Sequence, residues 1–117
     1  MSPKRGDRAA PPPVDDEWEI RFAASDAAKG WDELCRHAAS NTCAAWLLLR
    51  DDPRPRVTAR RGPLKYDLAV KVIDGRSCEQ WQIEVTGAGR IWYAIDDERR
   101  TVWITMASTG HPRQTDR

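Results

Sequence analysis

Residues 80–111, QWQIEVTGAGRIWYAIDDERRTVWITMASTGH, hold three strand patterns in a row, each with one tryptophan. Successive strand residues point to opposite faces, so alternation sorts these side chains into two sets. One set is Trp81, Ile83, Val85, Ile91, Tyr93, Ile95, Val102, Ile104 and Met106, which is the composition of a core. The other is Gln80, Gln82, Glu84, Thr86, Arg90, Trp92, Ala94, Asp96, Trp103, Thr105, Ala107 and Thr109. This second face is polar, charged and aromatic together, and solvation alone does not call for Trp92 and Trp103. It reads as the working surface of a small binding or catalytic protein.

The turns constrain the register. Gly87-Ala88-Gly89 reads as a three-residue hairpin loop, with glycine available for positive φ. It would pair Thr86 with Arg90, Glu84 with Trp92 and Ile83 with Tyr93. A two- or four-residue loop within residues 96–101 would set Trp92 against Thr105, Ala94 against Trp103 and Arg90 against Ala107. A three-residue loop would bring Met106 across from Trp92 and mix the two faces, so it is rejected. Trp92 and Trp103 then become diagonal neighbours that make one aromatic floor.

The 117 residues are enough for one domain with a two-layer core. Residues 1–16, MSPKRGDRAAPPPVDD, hold four prolines and few apolar side chains, which predicts a disordered tail. The folded domain then spans 17–112, with 113–117 a flexible C-terminus. No apolar run reaches the roughly 18 residues of a membrane span, and no signal-peptide core follows the basic start; the expected location is the cytoplasm. Cys35, Cys43 and Cys78 lack metal-ligand spacing and His37 and His111 are the only histidines, so reduced thiols and no metal or other cofactor are expected.

Net charge is +1, but residues 50–65 carry six basic side chains (Arg50, Arg54, Arg56, Arg60, Arg61, Lys65) against Asp51 and Asp52. Pro53, Pro55 and Pro63 favour an extended loop there. It is either a solvated loop or a phosphate-contacting arm.

Upstream, residues 17–22 alternate as a first strand with Trp18, Ile20 and Phe22 inward. Ser25 is a candidate cap for a helix whose stripe is Ala27, Trp31, Leu34, Cys35 and Ala38. Gly30 weakens that helix by about 1 kcal/mol relative to alanine, or lets it pack closely. Asn41 is the expected cap of a second helix, with Cys43, Trp46, Leu47 and Leu49 apolar and Pro53 as its stop. Val70, Val72 and Ile73 suit a short strand turning at Asp74-Gly75. The fold class is α+β: an N-terminal strand, a helical hairpin, then a three-stranded antiparallel meander, with both helices on one face of an antiparallel sheet.

A strand, a helical hairpin, a basic loop ending in Leu64-Lys65, a meander with Gly89-Arg90-Ile91-Trp92-Tyr93, a final strand over 102–108 and a closing Gly110-His111-Pro112 resemble the RelE/ParE toxin superfamily of bacterial toxin–antitoxin systems. The resemblance covers the chain beyond its tail and rests on order and spacing together. It implies a concave sheet face that engages RNA, a cognate antitoxin as partner, and either cleavage of messenger RNA in the ribosome or inhibition of DNA gyrase. The phosphate-contacting arginine carries over to Arg90 and the loop lysine to Lys65. The chain departs where relatives have lysines before the arginine, offering Gln82 and Glu84, and where they have an arginine after the last strand, offering Thr109-Gly110-His111.

RNA self-cleavage needs a base, a phosphate cation and an acid. His111 is either a proton-transfer group suited to neutral pH or, beside Pro112, only a solvent-exposed chain end. Arg90 suits a phosphate clamp. Glu84 is either the complementary base or an ion-pair partner that orients Arg90. Trp92 and Trp103 are either base-stacking platforms, with Arg60, Arg61, Gln82 and Thr105 as further RNA contacts, or a partner-binding or covered surface. Tyr93 falls on the core face and is not assigned to catalysis. Two function classes follow: a metal-independent endoribonuclease toxin, and a non-catalytic member of the same fold, either a binding inhibitor or a degenerate toxin.

Overall fold

The computed structural model describes residues 3–9 and 11–110. In chain order the elements are β1 (Glu19–Phe22), α1 (Ser25–His37), α2 (Ala39–Asp51), β2 (Arg61–Pro63), a 3-10 turn (Tyr66–Leu68), β3 (Val70–Ile73), β4 (Arg76–Glu84), β5 (Arg90–Asp96) and β6 (Thr101–Ser108). Two helices pack against one six-stranded sheet, an α+β architecture. The strands lie in the order β1-β6-β5-β4-β2, and β3 pairs with the other half of β4. The core joins Ala27, Ala28 and Leu34 of α1 and Ala45 and Leu49 of α2 to Ile20, Phe22, Trp81, Ile83, Ile91, Tyr93, Ile95, Val102 and Ile104 of the sheet. Of the apolar set that alternation picks out in the last three strands, all but Met106 lie in this core, Val85 included.

The sheet is mixed, where an antiparallel one was expected: β1 runs parallel to β6, with Ile20 beside Val102 and Phe22 beside Ile104. A two-helix excursion separates β1 from the later strands, so no hairpin turn fixes its direction. Side-chain packing decides it.

The β4–β5 hairpin pairs Glu84 with Arg90, Gln82 with Trp92 and Trp81 with Tyr93. This is shifted by two from the expected pairing. An even shift preserves both faces. The loop is larger because Val85 N–H donates to Gly89 O (2.9 Å) and the Thr86 hydroxyl accepts from Gly89 N–H (2.7 Å). Between β5 and β6 the expected pairing of Ala94 with Trp103 holds. Past Tyr93 a bulge then slips the register, setting Trp92 against Met106 and Arg90 against Ser108. The expected Trp92–Thr105 and Arg90–Ala107 pairs therefore do not form. The slip also carries Ala107 into the core and leaves Met106 half-buried outside it.

The β3–β4 hairpin forms at Asp74-Gly75, both with positive φ (50° and 80°), as a two-residue turn of right-handed twist requires. Ser25 begins α1 without capping it, and α2 starts at Ala39, so Asn41 caps nothing; its Nδ2 donates to Val85 O (3.0 Å) and ties α2 to the hairpin loop. Cys43 and Leu47 point outward, and Thr42 and Ala45 take the inward positions expected of them.

The segment expected to be disordered is docked over its described residues. Gly6 and Ala9 donate backbone N–H to Phe22 O and Ile20 O (both 2.8 Å), and Phe22 N–H returns a bond to Asp7 O (3.0 Å). Residues 6–9 thus cover the free edge of β1. Arg50, 4% exposed, donates to Pro11 O (2.6 Å), Pro12 O (2.9 Å) and the Glu17 carboxylate while stacking on Trp46. Glu17 is held below the ordinary carboxylate range by Arg50 and by the Val14 N–H. Composition reported the lack of apolar residues correctly. What it did not report is that the anchor is a buried arginine binding the tail's carbonyls.

Candidate nucleic-acid interface

The sheet face away from the helices is built in rows. Arg60, whose carbonyl accepts from Glu84 N–H (2.8 Å), continues the β2 register, so Arg60, Glu84, Arg90 and Ser108 form one row. Gly62, Gln82, Trp92 and Met106 form the next.

Arg90 is half-buried. Its Nη1 donates to the carbonyls of Thr86 (3.1 Å), Gly87 (3.3 Å) and Gly89 (3.0 Å), so it closes its own hairpin loop. Its Nη2 lies 3.5 Å from Glu84. Of the two roles open to Glu84, this geometry is the orienting ion pair. Arg60 is exposed and its side chain has no ion-pair partner among the described residues. It is the cation of this row left to solvent, and the two arginines outweigh the one carboxylate.

Trp92 is half-buried, and its indole Nε1 donates to Gln82 Oε1 (2.8 Å). Thr105 and Gln80 are bound to each other, and Gln80 Nε2 donates to Leu68 O (2.8 Å), so both are spent on structure. Trp103 is 9% exposed, packed with Ile73, Cys78 and Ala94, and its Nε1 donates to the buried Asp96 carboxylate (3.4 Å). The expected two-tryptophan floor is therefore a single half-exposed ring, Trp92, because β3 folds its Ile73 against the Trp103 end of the face.

Arg61 faces the core side. It is buried, with Nε donating to the Tyr93 hydroxyl (3.0 Å) and Nη2 to Asp52 O (2.6 Å). It cannot serve as an RNA contact. Arg54 bridges Glu79 (2.7 Å) and Asp97 (3.1 Å), and Arg50 holds the tail. Half of the basic segment is thus structural, leaving Arg56, Arg60 and Lys65 to the surface. Lys65 is exposed, but Leu64 aligns with Gln80, four residues from Glu84 and about 13 Å along the strand. It is not brought beside Arg90. His111 lies outside the described residues.

Tyr93 is fully buried, donating to Pro53 O (2.7 Å) and accepting from Arg61. Burial pushes its phenol up to about 12, against the pull of Arg61. The neutral phenol favours the fold, so this contribution is complete below the unfolded value near ~10 and is lost as pH rises through about 12. In a Tyr66→Phe background, ultraviolet titration should show Tyr93 ionising only near that upper value, together with unfolding. Ionisation near ~10 in the folded state would contradict the buried pair. Tyr93→Phe should cost about 1–3 kcal/mol in urea unfolding, because it orphans Pro53 O and Arg61 Nε.

Sequence reasoning rejected the pairing of Met106 with Trp92, which the bulge brings about, and missed the alignment of Arg60 with Glu84, which depends on β2 being a strand. An edge position tolerates Pro63, and that was the available signal. Among the described residues no helix is long and apolar enough to cross a membrane, and no group of three or more His, Cys, Asp or Glu could hold a metal ion. No protein-family model, curated protein or solved structure matches the chain.

Proposed function

We propose that the protein contacts single-stranded RNA through the sheet face opposite its helices, as the toxin of a type II toxin–antitoxin pair acting on ribosome-bound messenger RNA. The observation that carries this reading is the Trp92 ring, half-exposed beside Gln82 and Met106, one row from Arg60 and Arg90. An aromatic platform beside cations is the arrangement that binds unpaired nucleotides without needing a pocket. Stacking contributes about 1–3 kcal/mol per base, and the cations meet the backbone phosphates. The cognate antitoxin is expected to cover the same face.

A second reading is favoured by the Arg90 geometry. A guanidinium already shared among three carbonyls and Glu84 has little left for a transition-state phosphate. On this reading the protein is a member of the fold that inhibits by binding and cleaves nothing.

Inducible expression without a partner, with mapping of messenger RNA ends, separates the two. The expected result is growth arrest with new RNA ends. Arg60→Ala should weaken the arrest while leaving the thermal midpoint nearly unchanged, as a surface change does. Arg90→Ala should weaken the arrest and also cost about 1 kcal/mol or more of stability, because the loop carbonyls lose their donor. His111→Ala abolishes cleavage if that residue transfers the proton. Arrest with intact messenger RNA selects the binding inhibitor, and absence of arrest refutes the toxin reading.

A further inference from the structure

The Trp92–Gln82 pair fixes which way the glutamine amide faces. An indole N–H can only donate, and it lies 2.8 Å from the Gln82 side-chain oxygen. That contact forces Oε1 toward Trp92 and turns Nε2, with its two donor hydrogens, the other way. Nε2 makes no hydrogen bond within the described chain, whereas the amide of Gln80 on the same face is used at both ends. The side chain is therefore an oriented donor whose free Nε2–H points away from Trp92 while its Oε1 is engaged by the indole, set directly across the strands from that half-exposed ring.

Resting on the RNA reading above, we propose that this pair selects the base that stacks on Trp92: a keto base, uracil or guanine, over an amino base, cytosine or adenine. Uracil O4 or guanine O6 accepts from the free Nε2–H. The N4 amino group of cytosine and the N6 amino group of adenine present hydrogens at the same place, donor against donor. Stacking itself is indifferent to base identity, so affinity belongs to Trp92 and preference to Gln82.

The test compares uridine and cytidine octamers, which differ at the base edge by this keto–amino exchange at C4 and by the N3 proton that goes with it, binding the full chain by fluorescence anisotropy. The wild type should prefer the uridine octamer by about tenfold, the ratio expected of one satisfied against one opposed hydrogen bond. Gln82→Leu should bring the ratio near one. Gln82→Glu keeps an acceptor for the Trp92 indole and replaces the free donor with an acceptor, so the ratio should invert even as the added charge weakens both octamers. Trp92→Ala should weaken both octamers alike. A wild-type ratio near one, or a ratio unchanged in Gln82→Leu, overturns the base preference while octamer binding that still depends on Trp92 leaves the RNA face standing. Failure to bind either octamer overturns both.

Discussion

Gly30→Ala should unfold the protein, or come close to it, although helix propensity alone would make it stabilising by about 1 kcal/mol. A β-carbon on Gly30 would stand 1.9 Å from the backbone oxygen of Ala107 and 2.7 Å from its carbonyl carbon. Neither is the movable end of a side chain. The contact is helix backbone on strand backbone, at the point where the bulge has carried Ala107 into the core. Relief requires α1 to lift from β6, and Leu34, Ala27 and Ala28 go with it. Overpacking typically costs about 1–3 kcal/mol, and a backbone clash of this depth belongs at or beyond the top of that range, against a total of about 5–15 kcal/mol for a domain. Urea unfolding followed by circular dichroism should show a large fall in midpoint or no cooperative transition. An unchanged or raised midpoint would mean that α1 does not cross β6 at Gly30.

Removal of residues 1–12 should have the second-largest effect. It strips the β1 edge of its bonds to Gly6, Asp7 and Ala9, and takes the carbonyls of Pro11 and Pro12 from the buried guanidinium of Arg50. Glu17 remains to Arg50, so the charge keeps one partner. Leaving buried polar groups unmet costs about 1–3 kcal/mol each, and roughly 3 kcal/mol or more is expected in all. Hydrogen exchange adds a local readout. The Phe22 amide donates to Asp7 O in the intact chain, so it should lose protection on truncation. An unaltered thermal midpoint with Phe22 still protected would show the segment to be dispensable.

The face assignment of the last three strands was legible because alternation is local: an even register error at the Gly87–Gly89 loop changes neighbours without exchanging faces. Asp74-Gly75 was legible for the same reason, since a two-residue turn carries its own chemistry. What was not legible depends on distant partners. Arg50 and Arg61 look like two cations of a basic loop, yet each is buried because carbonyls from residues 11, 12 and 52 and the Tyr93 hydroxyl arrive from elsewhere in the chain. The bulge beside Trp92 has no local signature in Thr105-Met106-Ala107, and it alone exchanges Ala107 for Met106 in the core. Trp103 was read as open because nothing in the sequence says that Ile73 of β3 returns over that end of the face. Of the candidate site, Arg60, Glu84, Arg90, Gln82 and Trp92 are gathered in two adjacent rows; Arg61, Trp103 and Thr105 are taken up by structure, and Lys65 stands apart.

The most direct measurement is photocrosslinking of a 4-thiouridine oligonucleotide to the full-length protein, with the modified residues identified by mass spectrometry. Adducts at Trp92, Gln82 or Met106, lost in Trp92→Ala and reduced in Arg60→Ala, are the predicted result. Adducts confined to the exposed side of α2 around Leu47 and Leu48, or to the Tyr66–Val72 edge, would place nucleic acid on another surface and contradict the account.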